Sequence, residues 1–233
     1  AVLRGALDSG LVGWIGNTAD EGEECAGIEA VASVGTGITI FKPQSNVRLI
    51  ELFELARRAG AAAVGVDLDG VGSTNWERAG KPVFRKSVPE LRELADSTEL
   101  PFVAKGIMSA EDALAALDAG VDAIDVSNHG GRALDSTRGV ADVLPHVAKA
   151  VGGKITITAG GGVRTGFDVL KMLALGADAA LVGRDVARAA IGGGAPGVKM
   201  HYDYLRSDLR RAMMLTGCNS LDDIDARVLD VGP

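Results

Sequence analysis

Residues 123–135 read AIDVSNHGGRALD. The stretch opens as a short apolar run, residues 123–126, that reads as a buried strand. It then breaks into polar residues and a Gly-Gly pair. Ser127, Asn128, His129 and Arg132 follow directly on the carboxyl end of that strand. In parallel α/β folds this is where chemistry is placed.

Working outward, apolar strand, polar loop, amphipathic helix and glycine alternate along the whole chain. Strands are predicted over residues 11–15, 37–41, 61–66, 101–104, 123–126, 154–158 and 179–182. Helices are predicted over 1–9, 20–34, 47–59, 87–95, 110–119, 140–151 and 166–175. From residue 185 the chain reads as helical apart from the glycines at 192–194. Ser45, Ser87 and Ser109 are in N-cap positions, and Glu90 and Asp112 follow the last two at capping-box spacing. Residues 69–86 read as an irregular loop containing Trp76.

This alternation argues for β/α units with right-handed crossovers and a parallel sheet. A doubly wound sheet is the alternative. A TIM (β/α)8-type barrel fits better, because chemistry-bearing residues follow nearly every strand. A closed barrel of that type has eight strands. The expectation is therefore one barrel domain over residues 1–233 whose first strand is missing from this chain.

The bulk composition sets outer limits. The 233 residues are 47% hydrophobic with a net charge of −7, which argues against a disordered chain and against a general nucleic-acid surface. No apolar run reaches the roughly 18 residues of a membrane helix, and no leader pattern is visible. Cys25 and Cys218 lack any CxxC spacing and read as buried thiols in a reducing, cytoplasmic setting, with no disulfide or metal site expected.

Three constellations carry chemistry. Gly161, Gly162 and Arg164 follow the sixth strand, and Gly183 and Arg184 follow the seventh. Two adjacent glycine-bearing loops let backbone N–H groups converge on a phosphate, and the arginines add charge-assisted bonds. The bland alternative is tight turns with surface arginines. His129 suits a general base near neutral pH, and Arg132 can hold a carboxylate through two parallel bonds. Asp67, at another strand end, can orient the imidazole, although a loop cap is its simpler reading. Lys105 closes an apolar strand and needs an anion or polar cofactor; Schiff-base chemistry or snorkelling to solvent are the rivals. His146 and His201 read as structural. Trp14 and Trp76 read equally as pocket walls or core.

Several of these motifs resemble the FMN-dependent α-hydroxy-acid oxidising family, which includes glycolate oxidase and lactate oxidase. They are Lys105-Gly106-Ile107-Met108, Ser127-Asn128-His129-Gly130-Gly131-Arg132 with Leu134-Asp135, Gly161-Gly162-Val163-Arg164, Asp168-Val169-Leu170-Lys171, Ala174-Leu175-Gly176-Ala177 and Gly183-Arg184. The resemblance is strong over residues 101–218 and weaker before them.

It implies FMN as cofactor, with Lys105 and Ser127 at the flavin and Gly161, Gly162, Arg164, Gly183 and Arg184 at its phosphate. It implies His129 as base supported by Asp67, Arg132 on the substrate carboxylate, and a small 2-hydroxy acid as substrate. A homotetramer is implied as well.

The chain departs from the family pattern at several points. Lys42-Pro43-Gln44 stand where a Gln-Leu-Tyr run is usual. Gly65 replaces a threonine, Gly160 an aspartate and Ala133 a glutamine, and the N-terminal tyrosine is missing. Lys42 is expected at the flavin edge or on a more acidic substrate. The competing readings are a catalytically weak flavin- or phosphate-binding barrel, and another FMN- or phosphate-dependent barrel enzyme such as an isomerase or aldolase.

Overall fold

The computed structural model describes residues 1–20 and 25–230. The strands are β1 (Trp14–Gly16), β2 (Ile38–Phe41), β3 (Ala63–Asp67), β4 (Phe102–Ile107), β5 (Ala123–Val126), β6 (Thr156–Gly160) and β7 (Ala179–Leu181). The helices are α1 (Val2–Asp8), α2 (Ala26–Val34), α3 (Asn46–Arg58), α4 (Thr74–Arg78), α5 (Val88–Asp96), α6 (Ala110–Asp118), α7 (Val140–Val151), α8 (Gly166–Ala174) and α9 (Arg184–Thr216).

Local chemistry sets these boundaries. The side chains of Ser45 and Ser109 accept hydrogen bonds from the N–H groups of Arg48 and Asp112. Ser87 with Glu90 and Thr165 with Asp168 close full capping boxes at the starts of α5 and α8.

The seven strands pair in parallel in sequence order and curl into a part-barrel. Side chains alternate between the two faces. On the outer face Val64, Val66, Phe102, Ala104, Ile124 and Ile157 pack against Leu49, Phe53, Leu94 and Leu144 from the helices. Phe53 bridges the layers, with ring centroids 5.9 Å from Phe41 and 5.6 Å from Phe102.

The concave face has a small apolar floor of Ile40, Ala63 and Val103, flanked by Trp14, Ile38 and Ala123. One step further toward the carboxyl ends, the register aligns Asp67 with Lys105, Lys105 with Asp125, and Asp125 with Thr158. A belt of alternating charge therefore crosses the concave face above its apolar floor.

Gly65 belongs to that floor. A Cβ there would stand 2.5 Å from the Val103 carbonyl oxygen and 2.7 Å from Ile40 Cδ1. Ile40 and Val103 thus fill the space that a side chain at this position would occupy. Gly65→Thr is expected to destabilise the fold by about 1–3 kcal/mol through overpacking; an unchanged urea midpoint would contradict this.

Several sequence readings are corrected. Residues 69–86 contain a 3₁₀ turn, Leu68–Gly72, and α4, which carries the buried Trp76. Asp67 is the last residue of β3, as expected, whereas Lys105 lies inside β4, which runs on to Ile107 through a register shift at Gly106. The first strand begins at Trp14, later than predicted.

Inside α9 Gly194, at φ 61° and ψ −149°, breaks the helical geometry. The helix expected to continue from residue 185 stops at Thr216, where Gly217 caps it in a left-handed conformation and two 3₁₀ turns, Leu221–Asp223 and Ala226–Val228, follow. Cys25 is half-buried, not buried, whereas Cys218 is buried. The helix expected over 20–34 appears as α2, and residues 21–24 of that expectation lie outside the described residues. Among the described residues, no helix is long and apolar enough to cross a membrane.

Candidate active site

The carboxyl ends of β2 to β5 deliver the charged groups. Lys42, the residue after β2, directs its ammonium onto Asp67 Oδ2, where the two form an ion pair. Lys105 Nζ reaches Asp67 Oδ1 at 3.0 Å and lies 4.0 Å from both Asp69 and Asp125. Its ammonium also donates to Ser127 Oγ at 3.4 Å. Thr158 Oγ1 donates to Asp125 Oδ1 at 2.9 Å, which anchors the far end of the belt.

The loop after β5 is folded back on itself. Gly131 N donates to Asn128 Oδ1 at 3.0 Å, His129 N to Ser127 Oγ at 3.3 Å, and Arg132 Nε to the His129 carbonyl at 3.0 Å. His129 adopts φ 57°, a left-handed conformation uncommon outside glycine. Its Nδ1 lies 3.0 Å from Asp69 Oδ1 and 3.5 Å from Asp67 Oδ2. With Nδ1 facing carboxylates, Nε2 is the remaining proton acceptor of the ring.

The electrostatics follow from burial and pairing. Burial pushes the Asp67 carboxyl up, but its contacts with His129 and Asp69 and the charges of Lys105 and Lys42 outweigh this. Asp67 is held well below the usual carboxylate range. Burial and the neighbouring Asp67 push Asp69 up, against the pull of His129. Burial likewise pushes Asp125 up to about 6, against Lys105 and Thr158. Burial would lower Lys105, yet Asp67, Asp69 and Asp125 together raise it. Asp67 and Asp69 both raise His129. Asp67, Asp69 and His129 place ligand-type atoms within 4.8 Å of one another. The ammoniums on Asp67 already supply the positive charge that a metal ion would bring.

Two cavities meet at His129 and Arg132. The inner one, of about 420 Å³, is lined by Lys105, Asp125 and Ser127, and beyond them by Gly161, Gly162, Arg164, Gly183 and Arg184. The outer one, of about 670 Å³, is walled by polar groups such as Asn17, Lys42, Asp69 and Arg78, with Trp76 behind them. Asp67 lines neither cavity and sits beneath them, so it acts on the site through its neighbours.

The inner cavity suits a nucleotide-like anion. A Cβ on Gly162 or Gly183 would meet nothing within 4 Å, so the backbone there is open to a ligand. The amino end of α9 has no side-chain cap, which leaves its N–H groups available to an anion. The Arg184 guanidinium lies against the His129 loop, 3.5 Å from where a Cβ on Gly130 would sit.

The structure brings together His129, Arg132, Lys105, Asp67, Ser127 and the glycine–arginine loops. It places Lys42 on Asp67 and at the wall of the outer cavity. It does not place His146, which is exposed, or His201, stacked 6.3 Å from Tyr204, near either cavity. Asp69 and Asp125 were not predicted. An acid inside an apolar strand was the available signal for Asp125, and an Asp-Leu-Asp-Gly run was the signal for Asp69.

This fold and site define a class: a curled parallel β/α sheet with an anion cradle after its last strands and a histidine–carboxylate–lysine cluster beside it. The sequence profile of FMN-dependent dehydrogenases matches residues 41–231. An L-lactate dehydrogenase of Caulobacter sp. (strain K31) is 47% identical over 140 residues, covering 60% of this chain and 37% of that protein. A peroxisomal (S)-2-hydroxyacid oxidase of Arabidopsis thaliana is 47% identical over 135 residues, covering 58% of this chain and 37% of that protein. The chain thus spans well under half the length of these relatives. A mandelate oxidase crystal structure superposes with a TM-score of 0.82 at 33% identity, covering 97% of this chain and 71% of that one. The chain belongs to the FMN-dependent dehydrogenase family, and FMN is the cofactor this membership indicates. The inner cavity, with its open glycines, uncapped helix end and two arginines, fits that cofactor.

Proposed function

We propose that this chain forms the FMN site and the base-bearing half of the active site of an enzyme that oxidises a small 2-hydroxy acid. The observation that carries this reading is His129, fixed between the two cavities with Nδ1 on a carboxylate and Arg132 beside it. His129 takes a proton from the substrate at Nε2. Arg132, with Nε spent on the His129 carbonyl, offers its remaining N–H groups to the substrate carboxylate.

Lys105 and Ser127 would hold the flavin ring, and the Lys105 ammonium would favour negative charge there. Gly161, Gly162, Arg164, Gly183 and Arg184 hold the phosphate. FMN, when bound, accepts the electron pair from the substrate. Asp67 keeps Lys105 in position. A Schiff-base aldolase is disfavoured, because such a lysine needs a lowered pKa and Lys105 is raised by its carboxylates. The proposal treats residues 1–233 as one FMN-binding barrel domain. A cytoplasmic location is proposed on the free thiols Cys25 and Cys218. A homo-oligomer is proposed on exposed apolar side chains such as Ile191 and Met214 of α9.

The purified protein should show flavin absorbance and bleach anaerobically with at least one member of a panel of 2-hydroxy acids. A flavin-loaded protein that no member bleaches would sink the activity. Arg184→Ala should weaken FMN binding about tenfold, the loss of one charge-assisted bond. Equal FMN affinity, measured by fluorescence titration, would remove Arg184 from the phosphate site.

A further inference from the structure

We infer that Asp69, not Asp67, is the carboxylate that positions the His129 imidazole, while Asp67 is committed to the ammoniums of Lys42 and Lys105. The inference rests on reading His129 as the base.

Distance is the first observation. His129 Nδ1 lies 3.0 Å from Asp69 Oδ1, a normal hydrogen bond, whereas the 3.5 Å to Asp67 Oδ2 is long for one.

Occupancy is the second. Lys42 already pairs with Asp67 Oδ2, and Lys105 faces Oδ1 at 3.0 Å. Asp69 is farther from the cations: among the described residues its closest ammonium, Lys105, is 4.0 Å away, and its other polar neighbour is the Asp67 carboxyl. The imidazole Nδ1 is the partner within a normal hydrogen-bond distance of Asp69 Oδ1.

Two glycines make this arrangement sterically feasible. A Cβ on Gly70 would stand 2.5 Å from Lys42 Cδ, so Gly70 clears the path of the Lys42 stem to Asp67. A Cβ on Gly106 would stand 2.9 Å from the Asp69 backbone N and 3.0 Å from its Cγ. Gly106, at φ 99° within the irregularity of β4, lets the turn carrying Asp69 settle against the strand. Lys42 on Asp67 and Asp69 on His129 are thus each accommodated by a glycine. The charged groups around the imidazole are Lys42 after β2, Asp67 of β3, Asp69 on the following turn, Lys105 of β4, Asp125 of β5, Arg132 on its own loop and Arg184 of α9.

The test is a ¹⁵N NMR titration of the flavin-loaded protein, which has 3 histidines to assign. The parent should show His129 protonated at Nδ1 and bare at Nε2 in its neutral form. Asp69→Asn should lower the His129 midpoint by about one pH unit or more, and the pH limb of kcat/KM should move down with it. Asp69→Ser, which shortens the side chain, should do the same and serves if the asparagine variant fails to fold. A folded variant that titrates like the parent, or a parent protonated at Nε2, would overturn the inference. A flavin-loaded parent that no 2-hydroxy acid bleaches would instead overturn the proposed activity and leave the titration result standing.

Discussion

His129→Gln is expected to abolish reduction of bound FMN by 2-hydroxy acids while leaving the flavin in place. Glutamine keeps approximate size and hydrogen-bonding capacity but cannot take up a proton at neutral pH. Removing a positioned general base costs about two to four orders of magnitude in rate. Flavin retention is expected because the glycines and arginines proposed to hold the phosphate lie on other loops. Anaerobic stopped-flow bleaching reads the effect directly, and equal rates in variant and parent would refute the base assignment.

The pH dependence has a definite sign. A base must be neutral to act, and its carboxylate neighbours raise His129 above the ordinary imidazole value. The parent's kcat/KM should therefore rise with pH along a limb whose midpoint lies above that of a free imidazole. Folding favours the imidazolium for the same reason. That contribution to stability is complete below about 6.5 and is lost as pH rises through the raised folded value. The glutamine variant should lose this part of the pH dependence of stability.

Asp67→Asn should be the most destabilising single change at the site. It leaves Lys42 and Lys105, whose side chains are 15% and 17% exposed, facing an amide instead of a carboxylate. Breaking a buried ion pair from one side costs about 3–5 kcal/mol, because the remaining charge is uncompensated. Here both ammoniums are affected, and Asp69 and Asp125 compensate only from 4.0 Å. At about 2–4 °C per kcal/mol for a domain of this size, the melting temperature should fall by roughly 10 °C. The penalty should shrink as pH falls through the depressed pKa of Asp67, where the parent loses the same charge. A variant that melts with the parent at neutral pH would show that the belt is not held together by this carboxylate.

Much of this architecture was legible because glycines, N-caps and apolar runs report on backbone geometry directly. The capping box Ser87–Glu90 and the glycine–arginine loops are local patterns, and the structure has them where the sequence puts them. What escaped was set by tertiary proximity. The Lys42 ammonium crosses to a neighbouring strand, and nothing in Lys42-Pro43-Gln44 reveals that Gly70 clears its way. Asp69 read as part of a loop, and only the turn against Gly106 brings it to His129. Asp125 was hidden inside a run that reads as core, since alternation shows which residues share a face but not that the face opens onto a cavity.

The register of Asp67, Lys105, Asp125 and Thr158 has a consequence for folding as well as for chemistry. A slip of β4 by one residue against its neighbours would turn Lys105 outward, toward Leu94 and Phe53, and bring Ala104 and Phe102 to the mouth. An ammonium in that apolar layer would lack its counter-charges, so the misaligned sheet is penalised at once. The site thus proofreads the pairing of its own strands: a chain that has assembled the charge belt has also found its alignment.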